Sequence, residues 1–93
     1  MSDIRKTTRL TLIEPIMYES RQITHLDFRR MKGKDIRDME GYADTLEKTA
    51  FIIGALTGHG PDLFDELDST DIDAASKIVE GFMKRKAGRP AST

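Results

Sequence analysis

Between Arg9 and Met17 the apolar residues Leu10, Leu12 and Ile16 fall at even positions, the period-two spacing of a strand with one buried face. Pro15 marks the end or the edge of that strand, because it has no N–H to give to a ladder. Tyr18-Glu-Ser-Arg21 is a polar turn, and beyond it Thr24, Leu26 and Phe28 alternate with His25, Asp27 and Arg29. The economical reading is a β-hairpin over about residues 9 to 29. A two-stranded hairpin is marginal alone in water, so helices elsewhere in the chain must cover its apolar face.

From Gly33 onward the period changes. Ile36, Met39 and Ala43 fit one face of a short first helix, with Gly41 arguing against an uninterrupted one. Asp44 is placed to cap a second helix whose wide apolar stripe holds Leu46, Thr49, Ala50, Ile52, Ile53 and Leu56, and Gly58-His-Gly60 ends it. Projected at 100° per residue, Leu46, Ala50, Ile53 and Leu56 take the core side and leave Phe51 on the far side between Glu47 and Ala55. Pro61 suits the first position of a short linker helix carrying Leu63, Phe64 and Leu67. Thr70 with Asp73 has the form of a capping box, and Ile72, Ala75, Val79, Phe82 and Met83 recur at helical spacing, so a final helix is expected from about Asp71 to Lys84.

The expected fold class is α+β: an N-terminal β-hairpin packed against a small bundle of three to four helices, with Leu26, Phe28, Ile53 and Val79 in one hydrophobic centre. Residues 1 to 8 are expected as a flexible N-terminus, 9 to 84 as one domain with helices from about 34, and 85 to 93 as a basic flexible tail. A chain of 93 residues has room for one core, and it buries only roughly 60 to 65% of its unfolded surface, so stability is limited. Without cysteine there is neither a disulfide framework nor a thiolate metal site, which suits a reducing compartment. Neither a secretory leader nor a membrane span is legible, since Ala50 to Leu56, the longest apolar stretch, is interrupted by Gly54. A cytoplasmic protein is expected.

Formal net charge is −1, yet its distribution is uneven: +3 over residues 1 to 32, −8 over 33 to 73 and +4 over 74 to 93. An acidic middle reads as a docking surface for a basic partner, or as a solvated face plus helix starts that favour carboxylates.

The search for chemistry is negative. His25 belongs to the polar face of a strand and His59 to a glycine-flanked turn, and neither has partners at catalytic or ligand spacing. Asp62, Asp65, Glu66, Asp68, Asp71 and Asp73 lack the twelve-residue calcium-loop pattern, so they read as helix caps and solvent-exposed charges. Gly54, Gly58 and Gly60 are not followed by the Gly-Lys-Ser/Thr of a phosphate loop. No cofactor, metal or catalytic residue is expected. Lys84-Arg-Lys-Ala-Gly-Arg-Pro90 resembles the core of an AT-hook, in which Arg enters a narrow A·T minor groove. Ala87 stands where that motif favours Arg, and a basic end also complements the dipole of the preceding helix. Lys84, Arg85, Lys86 and Arg89 are nonetheless the candidate nucleic-acid contacts, for an alternative role as a small DNA-binding regulator.

Taken in order, Leu10-Thr-Leu-Ile-Glu-Pro-Ile16, Ile23-Thr-His-Leu-Asp-Phe-Arg29, Ile53-Gly-Ala-Leu-Thr-Gly58 and Asp65-Glu-Leu-Asp-Ser-Thr-Asp-Ile-Asp73 resemble the tail assembly chaperones of Mu-like phages over about residues 9 to 83. Phe28 stands where that family commonly has Leu. The resemblance implies a non-catalytic protein that binds the long, helical, aggregation-prone tape measure protein during tail morphogenesis. It also implies action in the cytoplasm of the bacterial host, in infection or from a prophage, and absence from the mature virion. A frameshift-extended form of the chain and a second copy of it are further expected partners; a membrane and nucleic acid are not. Phe51, Leu63 and Phe64 are the candidate partner contacts, because amphipathic helices offer a face or groove to another helix.

Overall fold

A computed structural model describes residues 7–88, with side chains through Met83. An antiparallel hairpin, β1 (Thr8–Tyr18) and β2 (Arg21–Phe28), is followed by α1 (Gly33–Met39), α2 (Thr45–Thr57), α3 (Leu63–Glu66) and α4 (Ser69–Gly88). The α+β architecture is the one the hydrophobic pattern predicts. Helices α3 and α4 lie against β1, while α2 lies against β2 and touches the other three helices.

The hairpin turns through Glu19 and Ser20, both with positive φ (52° and 66°), between the paired Tyr18 and Arg21. Two successive left-handed residues make a type I′ turn, whose twist matches that of the strands it joins. Near the open end Thr8 faces Phe28 and Leu10 faces Leu26, so even positions of the two strands share a face. The ladder then breaks: Thr11 pairs with His25, but the next pair is Ile16 with Ile23. Leu12 to Pro15 thus stand opposite Thr24 alone. Three extra residues, an odd number, reverse the phase of the pleat, because side chains alternate with period two. Beyond the bulge Ile16, an even position, is matched with the odd position Ile23. Pro15 sits inside β1, in this bulge where no ladder hydrogen bond is required of it.

The bulge is held by a helix. Asp71 on α4 is almost fully buried (1% exposed), and its carboxylate accepts from the Ile13 N–H (2.9 and 3.1 Å to its two oxygens) and the Glu14 N–H (3.2 Å). Backbone donors that the bulge removes from the ladder are satisfied there, as buried donors must be. The solvent-exposed role expected for Asp71 is therefore overturned. Its place follows from helical spacing, since Asp71, Ala75 and Val79 lie four residues apart on one face and all are buried.

Arg29, at the end of β2, ties three elements together. Its N–H donates to the Leu56 carbonyl of α2 (3.1 Å), and its guanidinium makes a two-pronged pair with Asp35 of α1 (2.9 Å each). Asp35 also accepts from the Lys32 N–H at 2.8 Å, which fixes the start of α1. The Arg29 hydrogen bonds hold the buried Asp35 carboxyl below the usual carboxylate range, against the opposing effect of burial. Helix α1 ends at Met39, so Ala43 lies outside it and is exposed, contrary to the expected shared face.

Asp44 caps α2 as expected, accepting from the Glu47 N–H at 2.8 Å. At the other end Gly58 adopts φ 80°, and the Gly54 carbonyl accepts from the N–H groups of both Gly58 and Gly60. The returning loop crosses so close to α2 that a Cβ on Gly54 would come within 3.0 Å of the Gly60 carbonyl and the Pro61 nitrogen. Pro61 precedes the α3 cap, Asp62, instead of opening the helix. Helix α4 also starts earlier than the Thr70–Asp73 pattern suggests: Asp68 accepts from the Thr70 N–H (2.9 Å) and Ile72 donates to the Asp68 carbonyl. The helix runs to Gly88, past the expected end at Lys84, since Lys, Arg and Ala are all good helix formers.

Leu26, Phe28, Ile53 and Val79 share one core with Leu12, Ile16, Met39, Ile52, Leu56, Leu63, Leu67 and Ala75. Leu46, expected on the core side, is instead 65% exposed: it precedes the first core contact of α2 by more than a turn. Ile52 takes a place in the core in its stead.

Candidate partner-binding surface

Exposed apolar side chains define where this domain has unused contact capacity. Ile13 and Met17 lie on β1, 65% and 62% exposed, Leu46 opens α2, and Tyr42 (38% exposed) stands in the α1–α2 connection. The Tyr42 ring stacks on that of Phe51, with centroids 5.2 Å apart and planes at 29°. Phe51 does lie on the side of α2 away from Ile53, as its spacing predicts, but Tyr42 half covers it and it packs partly against the core. An aromatic between Gly41 and the Asp44 cap was the available sequence signal for this pair.

The surroundings of the pair are acidic. Glu47 is one turn before Phe51 on the same face of α2, with Asp44 one turn further, and both are exposed. Glu40 reaches Lys48, also beside Phe51, at 3.6 Å. From Asp38 to Glu47 the chain has four carboxylates and no Lys or Arg.

The other two candidate contacts separate from Phe51. Leu63 is fully buried, its side chain committed to the core, while Phe64 is half-buried at the core's edge. The three residues do not form one exposed cluster. Lys84, Arg85 and Lys86 belong to the last turns of α4, and Arg89 lies outside the described residues, as do residues 1 to 6 and 90 to 93.

Both histidines, placed by sequence on separate elements, line one shallow depression of about 240 Å³ with Gln22, Ile23, Thr24, Asp27 and Thr57. His25 is 3.8 Å from Asp27, but that carboxylate is engaged by Arg9 through two hydrogen bonds (2.8 and 3.2 Å). His59 is edge-on to Tyr18, whose hydroxyl donates to the His59 carbonyl at 3.2 Å. The Tyr18–His59 contacts close the hairpin against the 58–61 loop, while those of His25 and Asp27 stay within the hairpin. Among the described residues no three His, Asp or Glu side chains are grouped to hold a metal, and no helix is long and apolar enough to cross a membrane.

A hairpin clamped to a helical layer, with several apolar side chains left exposed, defines a small α+β domain. The family model of phage tail assembly chaperone proteins, E, or 41 or 14, matches residues 9–84, and the chain belongs to that family. Tail assembly chaperones are generally non-catalytic, and their partners are phage tail proteins. No curated protein and no solved structure matches the chain.

Proposed function

We propose that this protein binds the phage tape measure protein during tail morphogenesis and keeps its long apolar helices from aggregating before the tail tube assembles around them. Family membership over residues 9–84 carries this reading. The domain supports it physically, since exposed Tyr42 stacks on half-buried Phe51 along the outer side of α2 while the opposite side of that helix is anchored in the core. It acts by binding alone, in the cytoplasm of the bacterial host, and leaves before the virion is complete. A frameshift-extended form of the chain shares the work.

Co-expression with the tape measure protein of the same phage tests the proposal. The tape measure protein should become soluble and co-elute with this chain in size-exclusion chromatography, at a stoichiometry given by light scattering. Equal insolubility with and without this chain, and no co-elution, would sink it.

A further inference from the structure

We propose that the Tyr42–Phe51 face of α2 is the docking surface, and that its occupant is an amphipathic helix of the tape measure protein bearing Lys or Arg beside its apolar stripe. The inference rests on the function proposed above and assigns it a place.

Three observations converge on this face. Its apolar part is a stacked aromatic pair, and aromatic side chains dominate the energetics of protein interfaces. Its shape suits a helix: Asp44, Glu47, Phe51 and Ala55 follow one another at three- and four-residue spacing, forming a ridge against which a second helix packs. The small Ala55 leaves room one turn beyond Phe51, and the Gly60–Pro61 crossing at Gly54 bounds the face at that end.

Charge selects the occupant. Asp44 and Glu47 are exposed on the ridge, and Glu40 beside it is paired with Lys48, so the excess charge of the face is negative. Such a rim attracts a basic helix and repels an acidic one. The alternative anchor Leu63 is fully buried, and the Ile13–Met17 strip of β1 carries one exposed carboxylate, Glu14, against the two of Asp44 and Glu47 on the α2 ridge.

Overlapping synthetic peptides spanning the tape measure protein of the same phage, titrated by fluorescence anisotropy, test both the place and the charge. Wild-type protein should bind peptides whose apolar stripe is flanked by Lys or Arg. Tyr42→Glu should weaken that binding more than about tenfold, and Glu47→Lys about three- to tenfold. A peptide with the facing Lys changed to Glu should recover affinity for Glu47→Lys while losing it for wild type. If wild type binds neither the peptides nor the full-length tape measure protein, the function proposed above fails. If wild type binds and both variants bind equally well with unchanged circular dichroism, the function stands and the assigned face is wrong. Should Tyr42→Glu unfold the domain, Glu47→Lys decides, because its side chain is exposed and the Asp44 cap uses only its backbone. A variant that binds peptide normally but sediments as a smaller species than wild type makes the occupant a second copy and overturns the proposal.

Discussion

Asp71→Ala isolates the link between the hairpin and the last helix. The carboxylate serves two backbone donors, Ile13 and Glu14, in a site where Asp71 itself is 1% exposed. Deleting it strands two partly buried N–H groups at roughly 1 to 3 kcal/mol each, and the lost bonds are charge-assisted. Some recovery through water is available at a part-buried bulge, so the expected loss is about 2 to 5 kcal/mol. A domain of this size has a total of roughly 5 to 14 kcal/mol, so the variant should be severely weakened but should still fold in the cold. Asp71→Asn keeps the shape and one accepting oxygen but turns an amide donor toward donors, and should fall between wild type and Ala. Urea denaturation followed by circular dichroism gives the global number. Hydrogen exchange gives the local one, because the Ile13 and Glu14 amides should lose protection ahead of the Leu10–Leu26 end of the ladder. A loss under about 0.5 kcal/mol, with those two amides unchanged, would refute the clamp.

Asp35 predicts an acid limb. Its folded pKa lies below the unfolded value of about 3.9, mainly through Arg29, so its stabilisation is complete above that pH and is lost as pH falls toward the folded pKa; Arg29→Met should be less stable at pH 6 and show a shallower fall between about pH 4 and 2 in urea midpoints, and parallel curves would contradict it. Gly54→Ala forces apart the α2–loop crossing and should cost about 1 to 3 kcal/mol with loss of the Tyr18–His59 contact, whereas an unchanged melting temperature would mean the loop yields freely. Deleting residues 87 to 93 should leave folding and tape measure binding nearly unchanged, since among the described side chains Phe82 is the last of α4 to pack on the core; a strongly salt-dependent affinity of the intact chain for A·T-rich duplex, lost on deletion, would instead support the DNA-binding reading.

What the sequence made legible was whatever depends on apolar period. The hairpin, its turn at Glu19–Ser20, the Asp44 cap, the Gly58 stop and the core membership of Leu26, Phe28, Ile53 and Val79 all follow from spacing and local chemistry. The misplacements arise where a polar group acts at long range. Asp71 reads as one of six acids near a helix start, yet its partners are 57 and 58 residues away in sequence. No local rule reports such a pairing, though its four-residue spacing from Ala75 hints at burial. The bulge was hidden for a related reason: alternation in β1 and β2 looks regular in each strand alone, and only the pairing of Ile16 with Ile23 reveals the change of phase. Leu46 was misassigned because a helical projection gives direction without distance, and the core ends before the first turn of α2. The proposed docking face was half visible, with Phe51 evident from its angle and Tyr42 found only through the stack.

These polar links bear on how so small a domain tolerates exposed apolar side chains. A chain of this length gains limited stability from its own core, and leaving Tyr42 and part of Phe51 at the surface forgoes some of what was available. Asp71 closes the bulge onto α4, Arg29 joins β2 to α1 and α2, and the Gly54 carbonyl gathers two loop amides. Each link fixes one element against another through specific hydrogen bonds, with no need for further apolar area. Helix α2 receives two of the three, and Ile52, Ile53 and Leu56 anchor its inner side. Its outer side is consequently presented on a rigid element whose ordering is complete before any partner arrives, which reduces the entropic cost of binding. The same reasoning separates two classes of variant: changes at Asp71, Arg29 or Gly54 should reduce partner binding in proportion to lost folding, whereas changes at Tyr42 or Glu47 should reduce it in a domain that remains folded.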